Sequence, residues 1–263
     1  MLFPDAALLN TLMAKFLVGS LLFVRVTALM FSGPVFGSLG VEPQVKVFLS
    51  AMLALVMTMA YSGSQPPITL DAWGIIPLAL KEIMVGSIIG YSASLIMNAA
   101  RFAGGILDFE IGFQTALLFD ANAGVPTLLG ELKSMMITMI FLFLNGHHFL
   151  IESIFASAQI IPIDGFVMGK NALDMIVRIV TVTMIVAVKI ASPVLVALFL
   201  TNLSLALLSR VAPQMNIFAL SMHVKIVVGL LSLFVSVPLI VLLMKHVLGI
   251  FESEVMKVLL SIA

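Results

Sequence analysis

The chain has 263 residues, of which 62% are hydrophobic and only 10% charged, and its mean hydropathy is +1.23. Soluble globular proteins contain about 45–50% apolar and about 25% charged residues, so this composition excludes a soluble cytosolic enzyme. Thirteen Lys and Arg balance thirteen Asp and Glu, which leaves no basic surface for nucleic acid, and the absence of Cys excludes disulfides and thiolate chemistry.

The first three apolar segments cover about 6–31, 45–61 and 75–100. No basic residue precedes the first segment, so we expect it to be part of the mature protein and not a cleaved export signal. The third segment contains Gly86 and Gly90, and this spacing lets two helices approach closely, either within the molecule or in a dimer.

Three further apolar segments cover about 128–151, 175–208 and 224–250, and an amphipathic tail follows at 251–263. We expect Lys189 and Ser192-Pro193 to interrupt the fifth segment, and the sixth contains Pro238. The run 210–216 holds a proline and polar residues, which predicts a helical hairpin between the last two segments. A spanning helix needs about 20 apolar residues, whereas membrane strands are about 10 residues long and alternate in polarity. The sequence therefore predicts an all-α, integral-membrane-like protein of long, broken hydrophobic helices.

Most Lys and Arg residues lie inside or at the ends of the apolar segments and few lie in the loops between them, so the positive-inside rule assigns no orientation. A charge at the centre of a bilayer costs about 2.5–3.5 kcal/mol on insertion scales. We therefore expect these charged side chains to face protein partners. The residues expected to form such pairs between subunits are Arg25, Lys81, Glu82, Arg101, Asp108, Glu110 and Lys189.

The segment 101–130 is rich in glycine, phenylalanine and carboxylates, a combination found nowhere else in the chain. If the preceding helix continues, Arg101 and Asp108 share one of its faces, because they are seven residues apart. Irregular backbone at membrane depth is tolerated only inside protein or beside a water-filled cavity. Two interpretations follow: a re-entrant or pore-occluding loop, or an amphipathic interfacial helix with a turn at 121–124.

No catalytic or phosphate-binding motif occurs in the sequence. His147, His148 and Glu152 are the nearest approach to a metal site, but two or three candidate ligands without a partner elsewhere in the sequence are a weak signal. A hydrogen-bonded pair at a helix end after Asn145-Gly146 is the better interpretation. We therefore predict no catalytic residue, no metal and no cofactor. From composition alone, the main alternative is a secondary transporter or ion channel in which Lys81, Glu82, Arg101 and Glu110 form an ion path.

Several motifs nevertheless resemble one known family. They include Asn145-Gly-His-His148, the run from Pro193 to Asn202, and Arg210-Val-Ala-Pro-Gln-Met-Asn-Ile-Phe218. These and further matches run in order along the chain, which resembles the R subunit of the bacterial flagellar type III export gate, the FliR family. Ser221 to Val224 stand before Lys225, where the family usually has Gly-Phe-Pro before the lysine of the last helix. Phe113-Gln-Thr115 follow Gly112, where the family tends to have a second glycine.

The resemblance implies a structural subunit and not an enzyme. One R chain would join several P and Q subunits in a ring-like gate at the centre of the flagellar basal body, in the bacterial inner membrane. Unfolded flagellar proteins would pass through its channel, and the A-type and B-type export proteins would be further partners. Residues 1–174 would form a P-like helical region, and 175–263 a Q-like hairpin with the amphipathic tail.

The resemblance also implies roles for individual residues. The segment of about 106–127 would be the loop that plugs the closed pore, and the end of the hairpin would lie at the channel entrance. The implied plug residues are Phe109, Gly112, Phe113, Phe119 and Gly124, and the implied entrance residues are Gln214, Asn216 and Lys225.

Overall fold

A computed structural model describes residues 6–37, 40–60, 72–113, 128–163, 165 and 170–262. These ranges contain seven α-helices and no strand, which confirms the all-α prediction. The helices are α1 (Ala6–Ser32), α2 (Pro43–Ala60), α3 (Ala72–Ile111), α4 (Leu128–Phe143), α5 (Gly146–Ile160), α6 (Lys170–Val211) and α7 (Ile217–Ile262).

Three helices are longer than the sequence pattern predicted. α3 continues to Ile111, α6 passes through Pro193, and α7 passes through Pro238 and includes the amphipathic tail. Proline is tolerated inside apolar helices because neighbouring helices and local adjustments satisfy the backbone group that it frees. The predicted interruption of the fifth segment at Ser192-Pro193 is therefore wrong.

The fourth predicted segment, in contrast, is two helices. The chain bends sharply between α4 and α5 at Asn145, whose φ of 59° and ψ of 26° place it in the left-handed region. Asparagine enters this region more easily than most residues, because its short side chain can hydrogen-bond locally.

Five of the described helices are long and apolar enough to cross a membrane. The number of possible spans rises to six if the bent pair α4 and α5 forms one span together.

The helices form two compact units. The first comprises residues up to Leu95, Asn145–Ile179 and the chain from Ile250, and the second comprises Ile96–Leu144 and Val180–Gly249. Both units combine segments that are distant in sequence. The division into a P-like part at 1–174 and a Q-like part at 175–263 concerns likeness to other subunits and stays a prediction.

In the first unit, α1 packs against α2, α5 and the first half of α3. Its contact with α3 is close, because a Cβ added to Gly86 would lie 2.1 Å from the carbonyl oxygen of Arg25. One added to Gly90 would lie 2.2 Å from the Ser32 hydroxyl. Of the two interpretations of this glycine pair, packing within the molecule is thus the one that the structure shows.

Replacing Gly86 by alanine tests this contact. The added methyl group has no room, so we expect the free energy of unfolding to fall by about 1–3 kcal/mol, as for overpacked cores. The matched control is Gly74→Ala in the same helix, where nothing lies within 4 Å of an added Cβ. Alanine favours helix by up to about 1 kcal/mol over glycine, so the control should melt at an equal or higher temperature in detergent. Equal melting of both variants would contradict the close contact.

In the second unit, the last part of α3 packs against α4, and α7 packs against α3 and α6. A Cβ on Gly104 would lie 2.3 Å from the Cα of Gly130, so the backbones of α3 and α4 touch there. A Cβ on Gly229 would lie 2.4 Å from Ile111 and 3.8 Å from Leu198. Glycine thus permits the close contacts of α3 with α4 and of α3 with α7.

Candidate functional site

The candidate site lies where α3 ends and α4 begins, on both sides of the connection formed by residues 112–127. Asp108, in the last turn of α3, accepts hydrogen bonds from the backbone N–H groups of Leu129 at 3.1 Å and Gly130 at 3.4 Å. These N–H groups belong to the first turn of α4, where no carbonyl of the same helix can satisfy them. The Asp108 carboxylate therefore ties the two flanks of the connection together.

A buried cation lies beside this carboxylate. The Lys133 side chain is 1% exposed, and its Nζ has no hydrogen-bond partner among the described residues. Asp108 is fully buried, and the two charges interact electrostatically. A buried carboxylate at a helix N-terminus is also stabilised by the positive end of the helix dipole. We call Asp108, Leu129, Gly130 and Lys133 the connection base.

A second, exposed contact joins the same two helices. Arg101 Nε lies 3.6 Å from a Glu131 carboxylate oxygen, and its Nη2 lies 3.5 Å from the Ser134 hydroxyl. Arg101 and Asp108 therefore both face α4, which confirms the prediction that they share one face of a continuing helix. About half of each charged side chain of this pair is exposed, so the pair contributes little stability.

The implied plug residues fall partly inside and partly outside the described ranges. Residues 106–111 are helical, which corrects the predicted start of the loop, and α3 ends at Ile111, just before Gly112, whose φ is 96°. Phe109 is 69% exposed on the last turn of α3, and Phe113 is half-buried. Phe119 and Gly124 lie outside the described residues.

A separate buried cluster ties three helices of the first unit. The Arg25 guanidinium on α1 binds both carboxylate oxygens of Glu82 on α3, one of them through Nη2 at 3.0 Å. Its Nη1 donates to the Ser157 hydroxyl on α5 at 3.2 Å, and Nη2 also donates to the Ile161 carbonyl at 3.2 Å. We call these four residues the Arg25 cluster.

The Arg25 cluster corrects part of the predicted pairing between subunits. Arg25 is 0% and Glu82 2% exposed, so no side chain of another subunit can reach them, and each finds its opposite charge within the chain. Asp108 is likewise satisfied within the chain by the connection base. Among the other predicted residues, Lys81 and Glu110 are half-buried and Lys189 is exposed.

The implied entrance residues lie at and beyond the turn of the hairpin formed by α6 and α7. Gln214 and Asn216 are exposed in the turn, and Asn216 Oδ1 accepts the Ala219 N–H at 3.3 Å, which caps α7. Lys225 lies about two turns further along α7 and is half-buried. The sequence from 175 to 251 contains no Asp or Glu. This feature is visible in the sequence, but the prediction of the entrance residues did not take it into account.

The chain is similar to bacterial export proteins over most of its length. Residues 16–250 match the family model described as "Bacterial export proteins, family 1". A flagellar biosynthetic protein FliR of Bacillus subtilis is 29% identical over 97% of this chain and 98% of its own length. Those of Pectobacterium carotovorum and Escherichia coli are 28% and 26% identical, each over 91% of this chain and 90% of their own lengths.

Proposed function

This chain belongs to the bacterial export proteins, family 1, and on that premise we propose that it is a non-catalytic structural subunit of the flagellar type III export gate. Membership in this family and the similarity to FliR proteins support a membrane-embedded component of the flagellar export apparatus. In our proposal, one copy joins several P and Q subunits around a channel for unfolded flagellar proteins. The assembly lies at the centre of the basal body in the inner membrane and contacts the A-type and B-type export proteins.

The match over residues 16–250 carries this proposal, and the surfaces of α6 and α7 support it. Large apolar side chains on α7 are open, with Phe218 83% and Phe234 79% exposed. Apolar surface of this extent must be covered by lipid or by other protein. A hairpin that packs against similar hairpins of Q subunits would cover it.

Lys189 supports a protein neighbour over lipid alone. It lies well inside the apolar span Val177–Val211 of α6, about a third of the way along, and its side chain is exposed. No carboxylate within the described ranges pairs with it. A lysine at this depth is costly in hydrocarbon, so an acidic side chain of another subunit is its expected partner.

Replacing Lys189 by leucine distinguishes these two environments. If Lys189 faces lipid, leucine should raise the yield of the assembled complex. If it pairs with a buried carboxylate of another subunit, leucine should lower the yield, because an orphaned buried charge costs about 3–5 kcal/mol. We expect the lower yield in native gels. The control is Ser192→Leu, an exposed position nearby on α6 where no charge is lost.

The connection between α3 and α4 is the proposed plug of the closed channel. The connection base supports this proposal, because the buried Asp108 carboxylate holds the two flanks of residues 112–127 together through its hydrogen bonds to the N–H groups of Leu129 and Gly130. Replacing residues 113–124 by a short Gly-Ser linker should leave this base intact. We expect an assembled complex that lets small solutes and ions leak through the inner membrane.

Leakage is measured as dye or ion entry into intact cells that express the linker variant. The control is Phe143→Ala, which removes an exposed phenylalanine of the same unit from the other end of α4. It should leave the membrane tight. An assembled linker variant with unchanged permeability would contradict the plug.

The export role itself is tested in cells that lack this chain. They should make flagellar subunits but retain them in the cytoplasm, and the full-length chain should restore secretion into the medium. Unchanged secretion without the chain would overturn the proposal.

A further inference from the structure

A buried ammonium group without a hydrogen bond lies beside the Asp108 carboxylate in the second unit. Lys133 is 1% exposed, and its Nζ finds no acceptor among the described residues. A buried charged donor without an acceptor is costly, and native proteins contain few of them. The strongest acceptor near Lys133, the Asp108 carboxylate, is bonded instead to the backbone of α4.

The hydrogen bonds that Asp108 accepts in this arrangement are long. The Leu129 N–H is shared between the two carboxylate oxygens at 3.1 and 3.2 Å, and the Gly130 N–H lies 3.4 Å from one of them. Hydrogen bonds to an ionised carboxylate are usually about 2.7–2.9 Å long. The bonds of Asp108 to α4 are therefore weak for a buried carboxylate, and an ammonium group would make a stronger one.

Lys133 is placed to reach this carboxylate. It follows Leu129 by four residues, so both lie on one face of α4, and long helical side chains lean toward the N-terminus of their helix. The two charges already interact electrostatically. Rotation of the two side chains would join them directly and would leave the N–H groups of Leu129 and Gly130 without their acceptor.

The first turn of α4 depends on that acceptor. Its N–H groups have no carbonyl of the same helix to bond, so a side chain must satisfy them. Gly130 lies in this turn, and glycine is among the weakest helix formers. Transfer of Asp108 to Lys133 would therefore release the first turn of α4 from the end of α3.

We propose that Asp108 alternates between two sets of partners, the N–H groups of Leu129 and Gly130 in the arrangement seen here and the Lys133 ammonium group in a second one. In the second arrangement the two buried charges are paired while the first turn of α4 is released. The connection base is then a latch that opens without leaving a buried charge unpaired. Its use in opening the channel rests on the export function proposed above.

Hydrogen exchange at the amides of Leu129 and Gly130 tests the latch. It is measured by mass spectrometry on the full-length chain, in the complex with which it purifies, and its rate follows the population of the released state. Lys133→Met removes the second partner of Asp108, so we expect exchange to be about tenfold slower, the effect of one charge-assisted bond. Lys245→Met, which removes an exposed cation of the same unit, should leave the rate unchanged.

The direction of the change distinguishes the latch from an ordinary structural charge pair. If Lys133 only stabilises the arrangement seen here, Lys133→Met should speed the exchange of these amides or prevent assembly of the complex. Either result, or an unchanged rate, would overturn the proposal.

Secretion of flagellar subunits by cells that carry Lys133→Met tests the link to export separately. Slower exchange with reduced secretion would support the role of the latch in opening the channel. Slower exchange with normal secretion would overturn that role and leave the latch itself supported.

Discussion

Replacing Arg25 by methionine is expected to destabilise the chain by about 3–5 kcal/mol, the cost of leaving a buried charge without its partner. The substitution removes both hydrogen bonds to Glu82 and leaves that carboxylate 2% exposed between α1 and α3. It also removes the donors to Ser157 and Ile161, through which α1 holds α5. Thermal unfolding in detergent should begin at a much lower temperature, and the amount of folded protein in the membrane should fall.

Two further variants separate charge from packing in this experiment. The double variant Arg25→Met, Glu82→Met should recover most of the stability, since apolar replacement of a whole buried pair is often neutral or better. Arg101→Met breaks the exposed pair with Glu131 and should cost at most about 1 kcal/mol. If Arg25→Met melts like Arg101→Met, then the Arg25 cluster does not hold the first unit together.

Asp108→Leu is expected to destabilise the second unit by more than about 1 kcal/mol. It removes the cap of α4, worth about 1 kcal/mol, and also leaves Lys133 buried without the carboxylate that favours its charged form. Because the same carboxylate joins the flanks of residues 112–127, we also expect the closed channel to leak. Melting temperature and ion entry into cells are the two measurements.

The charge and the cap of Asp108 can be tested one at a time. Asp108→Asn keeps an oxygen that accepts the Leu129 N–H but loses the charge, so it should be less stable than the wild type and more stable than Asp108→Leu. The double variant Asp108→Leu, Lys133→Leu should recover the stability that is lost by leaving Lys133 without the carboxylate. It should not recover the stability that is lost with the cap of α4. Glu131→Leu, also in the first turn of α4 but exposed, is the control and should change melting little. Full stability of Asp108→Leu would contradict the connection base.

The sequence predicted the all-α class, the hairpin between α6 and α7, and the shared face of Arg101 and Asp108. These features depend on apolar length, a local turn signal and helical periodicity, all of which a sequence displays directly. The break at Asn145-Gly146 has such a signal too, since this dipeptide is typical of turns, but the apolar residues on both sides of it, 128–151, look like one continuous segment.

The partners of the buried charges could not be predicted in the same way. Arg25 and Glu82 are 57 residues apart, and only the packing of α1 on α3 brings them together. Their position inside apolar segments indicated that they need opposite charges, but it did not indicate that these charges lie in the same chain. The proline rule failed at Pro193 because it describes helices in water, where a freed backbone group has no neighbouring helix to satisfy it.

The mass of the native complex tests the central claim most directly. The chain is tagged at its own locus, extracted in mild detergent and analysed by native mass spectrometry. We expect one copy of this chain with several copies of two other small membrane proteins, the P and Q subunits. A stable monomer or a symmetric homo-oligomer would contradict the export-gate proposal and favour a transporter.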